Sequence, residues 1–323
     1  MVTRRTLLRG LGSGIVAAGL PAPAAAAAER PLKVVATTGM IADTARRVGG
    51  DLVEVKALMG PGVDPHSYRQ TRTDIVATAK ADLVLWNGLY LEAQMEDVLA
   101  ELARRVPVAA LAEAVPADRR IAHDDYTGRF DPHVWMDPGL WRLAAVAARD
   151  ALTSVKPDGA EAFAANADVL LAELDRLDAY SARVLSTVPE AARVLVTAHD
   201  AFNYFGRAYG FEVVGIQGIS TESETGLNRM TELVDLIAGR RIAAVFVESS
   251  VSDRLVRALV EGAAAAGWNV RIGGELYSDA MGADGTYEGT YVGMIDHNVT
   301  VIAGGLGGSV PPRGMSGRLS AGS

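Results

Sequence analysis

Cysteine is absent from all 323 residues. Disulfides, thiolate catalysis, cysteine–zinc sites and a lipid-bearing cysteine anchor are excluded with it. Long apolar runs are missing too: outside the N-terminus no apolar stretch reaches 18 residues, so direct membrane insertion is not expected of the mature chain. Positive charge is in deficit, with 31 Lys and Arg against 39 Asp and Glu. An acidic surface disfavours nucleic acid and anionic lipid as partners. Histidine is scarce as well, with five in the chain. What is present is globular composition, 49% apolar and 22% charged, in a chain long enough for two ordinary α/β lobes, each with its own core.

Residues 1–28 read as an export signal of the twin-arginine type. Thr3-Arg4-Arg5-Thr6-Leu7-Leu8 supplies the paired arginines, Leu11 to Leu20 the apolar stretch, and an Ala-rich segment the small residues that signal peptidase needs. Cleavage after Ala28 would leave 28 basic and 39 acidic residues, a formal charge of −11. Export without an anchor predicts a soluble periplasmic protein.

The rest of the chain contains a repeat. Val34-Val35-Ala36-Thr37-Thr38-Gly39 is a β-branched run followed by helical periodicity from Met40 to Val48, a Gly49-Gly50 stop and a second strand from Val53 to Leu58. The same order returns 160 residues later (Thr37 to Thr197). There Val194 to His199 is the run, Ala201 to Tyr209 the helix, Gly210 the stop and Glu212 to Ile216 the strand. Third runs, Ala81 to Asn87 and Ala243 to Glu248, agree at nearly that offset. Short apolar runs alternating with helices predict parallel sheets with helical crossovers.

Between the repeats, Phe163, Ala167, Leu170, Leu171, Leu174, Leu177 and Val184 fall at three- and four-residue steps. They predict one helix from Ala160 to about Ser186, capped by Asp158, roughly 40 Å long. A connector of that length is stiff, so wide hinge motion is not expected. The expected fold class is therefore α/β: two similar lobes with mainly parallel sheets and flanking helices, joined by one long rigid helix. The expected divisions are 29–156, 157–188 and 189–305. Gly, Ser, Pro and Arg then predict a disordered tail over 306–323.

Three of the five histidines sit in loops or at a strand end. His66 lies in Gly60-Pro61-Gly62-Val63-Asp64-Pro65-His66, after a strand. His133 lies between the prolines of Asp131-Pro132-His133-Val134-Trp135-Met136-Asp137-Pro138. His199 ends its strand, where open α/β sheets bind ligands. They are 67 and 66 residues apart, so each comes from a separate unit, and they can meet only in a cleft between lobes. Asp279 is the plausible carboxylate from the second lobe. His123, beside Asp124-Asp125, reads as solvated loop, and His297 as a structural residue of the last helix.

At these residues the chain resembles the cluster-nine metal-binding proteins of ABC importers, the zinc- and manganese-binding solute-binding family, over nearly all of the mature sequence. The resemblance is carried by Gly62-Val63-Asp64-Pro65-His66-Ser67-Tyr68, Asp131-Pro132-His133-Val134-Trp135, Val196-Thr197-Ala198-His199-Asp200-Ala201-Phe202 and Phe246-Val247-Glu248-Ser249-Ser250. Gly273-Gly274-Glu275-Leu276-Tyr277-Ser278-Asp279-Ala280-Met281 and Tyr287-Glu288-Gly289-Thr290-Tyr291 complete it.

The resemblance implies two lobes on one long helix, with a single divalent ion between them held by His66, His133, His199 and Asp279. It implies delivery of that ion to an ABC permease in the inner membrane, by a chain expected to be monomeric and not an enzyme. Three imidazoles and one carboxylate suit Zn²⁺ ahead of Mn²⁺. Two features depart from parts of the family. There is no long His- and acid-rich loop between His66 and His133, and the third ligand is histidine where many manganese members have glutamate. Asp64, Asn87, Asp200 and Glu248 are the candidates for orienting the imidazoles, with capping or loop hydrogen bonds as their competing roles. The rival reading is a periplasmic metallohydrolase using the same His/Asp site, although no His-Glu-x-x-His run is present.

Overall fold

The computed structural model describes residues 30–123 and 127–320; the expected export signal and Asp124-Asp125 lie outside the described residues. The first repeat becomes β1 (Leu32–Ala36), α1 (Gly39–Gly49), β2 (Val53–Ala57), α2 (Arg72–Ala79), β3 (Leu83–Trp86), α3 (Glu96–Leu102) and β4 (Val108–Ala110). These strands form one parallel sheet in the order β2-β1-β3-β4. Val34, Val35 and Ala36 are buried in succession, as expected of a parallel strand covered on both faces. A further helix, α4 (Pro138–Val155), starts at a proline with Asp137 capping it.

The connector α5 (Ala160–Leu185) has 26 residues, about 39 Å at the α-helical rise. Its buried stripe contains the predicted Phe163, Ala167, Leu170, Leu174, Leu177 and Val184. Asp158 does not cap it: Gly159 takes the cap position with no side-chain bond. A Cβ on Gly159 would lie 2.8 Å from the Phe163 ring, so close packing of the first turn decides that position instead of capping.

The second repeat gives β5 (Val194–Thr197), α6 (Asn203–Tyr209), β6 (Glu212–Gly215), α7 (Leu227–Arg240), β7 (Ala244–Glu248), α8 (Arg254–Ala265) and β8 (Arg271–Leu276), followed by α9 (Tyr291–Gly305). β5 pairs with β6 and β7 with β8, both parallel, and β5 lies beside β7. The strand order follows that of the first sheet, but among the described residues no ladder joins β5 to β7, so the second lobe has two two-stranded sheets. The strands stop earlier than the sequence suggested: β1 ends at Ala36 and β5 at Thr197, which leaves Thr37, Thr38 and His199 beyond the sheet's C-terminal edge. Helix α6 starts two residues late, because Ala201 N–H bonds the His199 carbonyl in a tight turn. β8 carries Gly273 and Gly274, which weaken any strand signal. A side chain at Gly273 would meet the Phe246 ring at 2.6 Å.

One core runs through both lobes. Val34, Leu85, Trp141, Phe163, Leu177, Phe205, Phe246 and Ile295 belong to a single buried cluster, with α5 packed on α1 and α4 of the first lobe and on α9. Among the described residues no helix is long and apolar enough to cross a membrane.

The expectation of a disordered tail over 306–323 needs correction for 306–320. Leu319 is fully buried. Met315 N–H donates to the Asp296 carboxylate at 2.9 Å and Ser320 N–H to Glu288 Oε1 at 2.6 Å, while Arg318 stacks 4.6 Å over the Tyr287 ring. The composition is that of a loose tail, but its partners lie on α9 and the loop before it, which local sequence cannot reveal. Replacing Leu319 by Ala should cost about 3 kcal/mol in urea unfolding, the range for a buried leucine. An unchanged midpoint would mean that the tail is not part of the folded unit.

Candidate metal centre

Four loops at the C-terminal edges of the sheets each deliver one side chain. His66 follows β2 in a turn closed by Asp64, whose Oδ1 accepts His66 N–H at 2.8 Å and whose Oδ2 accepts the Ser67 hydroxyl at 2.9 Å. His133 precedes a single 3₁₀ turn at Val134–Met136. Asp131 Oδ1 accepts its backbone N–H at 2.9 Å and faces its ring Nδ1 at 2.7 Å. His199 lies just past β5. Glu248, the last residue of β7, accepts His199 N–H at 2.9 Å and faces ring Nδ1 at 2.5 Å. Asp279 follows β8, and Trp135 fixes the preceding residue by donating to the Ser278 carbonyl at 2.9 Å.

The four side chains converge. Ring centroids of the three histidines are 5.3, 5.3 and 5.8 Å apart. His66 Nε2 and His133 Nε2 face each other at 3.2 Å. Asp279 Oδ1 is 3.4 Å from His133 Nε2, and Oδ2 is 3.1 Å from His199 Nε2. One donor atom from each residue lies within 4.8 Å of all the others, and none of the four residues is more than 3% exposed.

Among the described residues, neither Asp279 oxygen nor His199 Nε2 has a hydrogen-bond partner of acceptable geometry. Leaving such atoms dry and unpaired is costly. A cation at the centre would satisfy all of them, and the donor set of three imidazoles and a carboxylate suits a divalent transition metal. Because Asp131 and Glu248 take up Nδ1 of their histidines, Nε2 is the nitrogen turned inward.

The electrostatics agree with a centre built for positive charge. Burial works against protonated His133, but Asp131 and Asp279 outweigh it and push the ring up to about 9. Burial likewise opposes the charged form of His199, and Glu248 with Asp279 overcome it, raising that ring well above the ordinary value. For Asp279 burial favours the neutral acid, yet the His199 and His133 rings hold the carboxylate well below its usual range. His66 is different: burial is the largest influence and lowers it to about 3, so its ring is neutral.

The residues expected to orient the imidazoles divide. Glu248 does so directly, and Asp64 acts on the His66 backbone. Asn87 donates to the Pro132 carbonyl at 3.1 Å, one residue before His133. Among the described residues Asp200 makes no hydrogen bond to an imidazole; burial lifts its carboxyl to about 6. Asp131 was overlooked as an orienting residue, although its place two residues before His133 was the available signal. Glu92 was missed entirely. Its buried carboxylate accepts the Thr37 hydroxyl at 2.6 Å and Asn87 N–H at 2.8 Å, and burial raises it to about 7. His123, expected to be solvated, is buried, while His297 packs in α9 with its Nε2 2.9 Å from the Glu275 carbonyl.

The chain matches the family model described as the periplasmic zinc-uptake complex component A over residues 34–305. It is 49% identical to the manganese-binding lipoprotein MntA of Bacillus subtilis, covering 86% of this chain and 91% of that protein. It is 46% identical to the zinc-binding protein TroA of Treponema pallidum, covering 87% and 91%. The solved structure of that periplasmic zinc-binding protein superposes with a TM-score of 0.83 over 85% of this chain and 99% of the other.

A metal needs the Nε2 lone pairs, so rings that are protonated in the metal-free protein must lose their protons on binding. With the His133 and His199 rings both raised, uptake near neutral pH should release protons. Affinity should then rise with pH from 6 towards 9. Calorimetry in buffers of different ionisation enthalpy measures the number released; no release would contradict the charge state described. Asp131→Asn should weaken metal binding by about 10- to 100-fold, the usual effect of losing a carboxylate behind a liganding imidazole, as competition with a chelator would report.

Proposed function

We propose, for a chain that belongs to the family of periplasmic zinc-uptake component A proteins, that it captures one divalent transition-metal ion between its lobes and delivers it to the permease of an ABC importer. His66, His133, His199 and Asp279 are the ligands in this reading. The observation that carries it is the set of four buried donor atoms, one per residue, within 4.8 Å of one another, with His199 Nε2 and both Asp279 oxygens lacking a hydrogen bond among the described residues.

The cargo is Zn²⁺ ahead of Mn²⁺. Three imidazoles and one carboxylate complete a tetrahedral shell for zinc, and zinc outranks manganese in intrinsic affinity for such donors. Both Asp279 oxygens face the centre, so a two-oxygen mode that adds a ligand position for manganese is geometrically open, and of the two relatives above one is named for manganese and the other for zinc. Four protein groups around a tetrahedral ion also leave no position for an activated water, which favours a binding protein over a hydrolase. Delivery places the chain in the periplasm, with residues 1–28 as the signal that brings it there.

The test is competition. Protein freed of metal and offered equal zinc and manganese should retain zinc, and His199→Ala should lose it, by elemental analysis after gel filtration. Manganese retained against zinc would overturn the metal assignment, and retention of neither would overturn the function.

A further inference from the structure

Any ion that reaches the centre must pass a wall, because all four proposed ligands are buried. Among the described residues, cavities reach them from two sides. One, of about 200 Å³, is lined by Asp279, Arg46, Met59, Met281 and Asp284. The other, of about 110 Å³, is lined by His66, Tyr90, Gln94, His123, Ser220 and Glu222.

Contacts between distant parts of the chain lie across and beside the second cavity: Gln94 and Glu222 both line it, and Thr221 sits between the lining residues Ser220 and Glu222. Thr221 Oγ1 donates to Asp64 Oδ2 at 2.7 Å, and Gln94 Nε2 donates to Glu222 Oε2 at 3.2 Å. Asp64 is the same carboxylate that holds His66 N–H and the Ser67 hydroxyl. The loop at Ile219–Thr225 is thus fastened to the turn that carries His66.

The two sides of this cavity are built differently. On one side Gly88, Leu89 and Tyr90 have φ of 78°, 55° and 73°, a left-handed run that side chains rarely adopt. Buried Glu92 holds it through Asn87 N–H and Gly88 N–H, so that wall is fixed. On the other side the 219–225 loop keeps its own shape, with Gln217 Nε2 donating to the Thr221 and Ser223 carbonyls. It meets the first lobe here through side-chain hydrogen bonds, which can break without loss of the shared core.

We propose that the Ile219–Thr225 loop closes the passage of the cation, and that Thr221 is a positioning residue whose hydroxyl clips this loop onto Asp64 and so holds His66 against the ion. This rests on the reading of the four residues as the cargo site. Opening separates Thr221 from Asp64, frees the His66 turn and exposes the ion on that side, while α5 and the common core stay in place.

Release of zinc from the loaded protein into excess chelator, followed by stopped flow, tests the clip. Thr221→Val should release zinc about tenfold faster, as expected when the closed form alone loses one hydrogen bond to a carboxylate. Thr221→Ser, which keeps the hydroxyl, should restore the original rate. Equal rates for Thr221→Val and the unaltered protein would overturn the proposal. So would acceleration confined to Met281→Ala, which widens the cavity on the Asp279 side. Zinc bound per chain at saturation reports on the ligand assignment independently of the rate.

Discussion

A carboxylate with neither oxygen hydrogen-bonded and almost no contact with water is stable only beside positive charge. Asp279 is in that position, and the construction of the centre follows from it. In the metal-free protein the raised His133 and His199 rings favour the charge it needs, and in the loaded one the ion would supply it. Each of those rings has a second carboxylate behind it, Asp131 or Glu248, which turns Nε2 inward and keeps the imidazole in one orientation. The three carboxylates come from loops or strand ends that only the folded sheets bring together, so the centre exists only in the native fold.

The scaffold explains how four side chains distant in sequence are held at one place. The four-stranded sheet of the first lobe and the paired strands β5-β6 and β7-β8 of the second present the loops at their C-terminal ends to one site, and α5 packs on a core shared by both lobes. A shared core resists wide hinge opening, because separating the lobes would expose apolar side chains such as Phe163 and Phe246 to water. Mobility is then confined to loops fastened by polar contacts. The chain therefore combines a rigid frame, which sets the ligand geometry, with a weakly fastened edge through which an ion can exchange.

Much of this was legible in the sequence for physical reasons. Parallel strands buried on both faces are written as apolar β-branched runs, so β1, β3, β5 and β7 could be found, and the stripe from Phe163 to Val184 announced the connector. The candidate ligands were readable because histidine is rare here and three of the five sit beside prolines, glycines or strand ends. What escaped depends on contacts between residues distant in sequence. His123 is buried although its local sequence is polar. The tail is held by Asp296 and Glu288, Glu92 by loop N–H groups, and β8 is disguised by the glycines that let Phe246 pack.

The central claim is that these three imidazoles and one carboxylate together bind one ion. X-ray absorption of the zinc-loaded protein tests it most directly. The account requires a first shell of three imidazole nitrogens and carboxylate oxygen at roughly 2.0–2.1 Å, with the imidazole scattering reduced by one ring in His66→Ala. A shell with fewer than three imidazoles in the unaltered protein, or one left unchanged by that substitution, would contradict it.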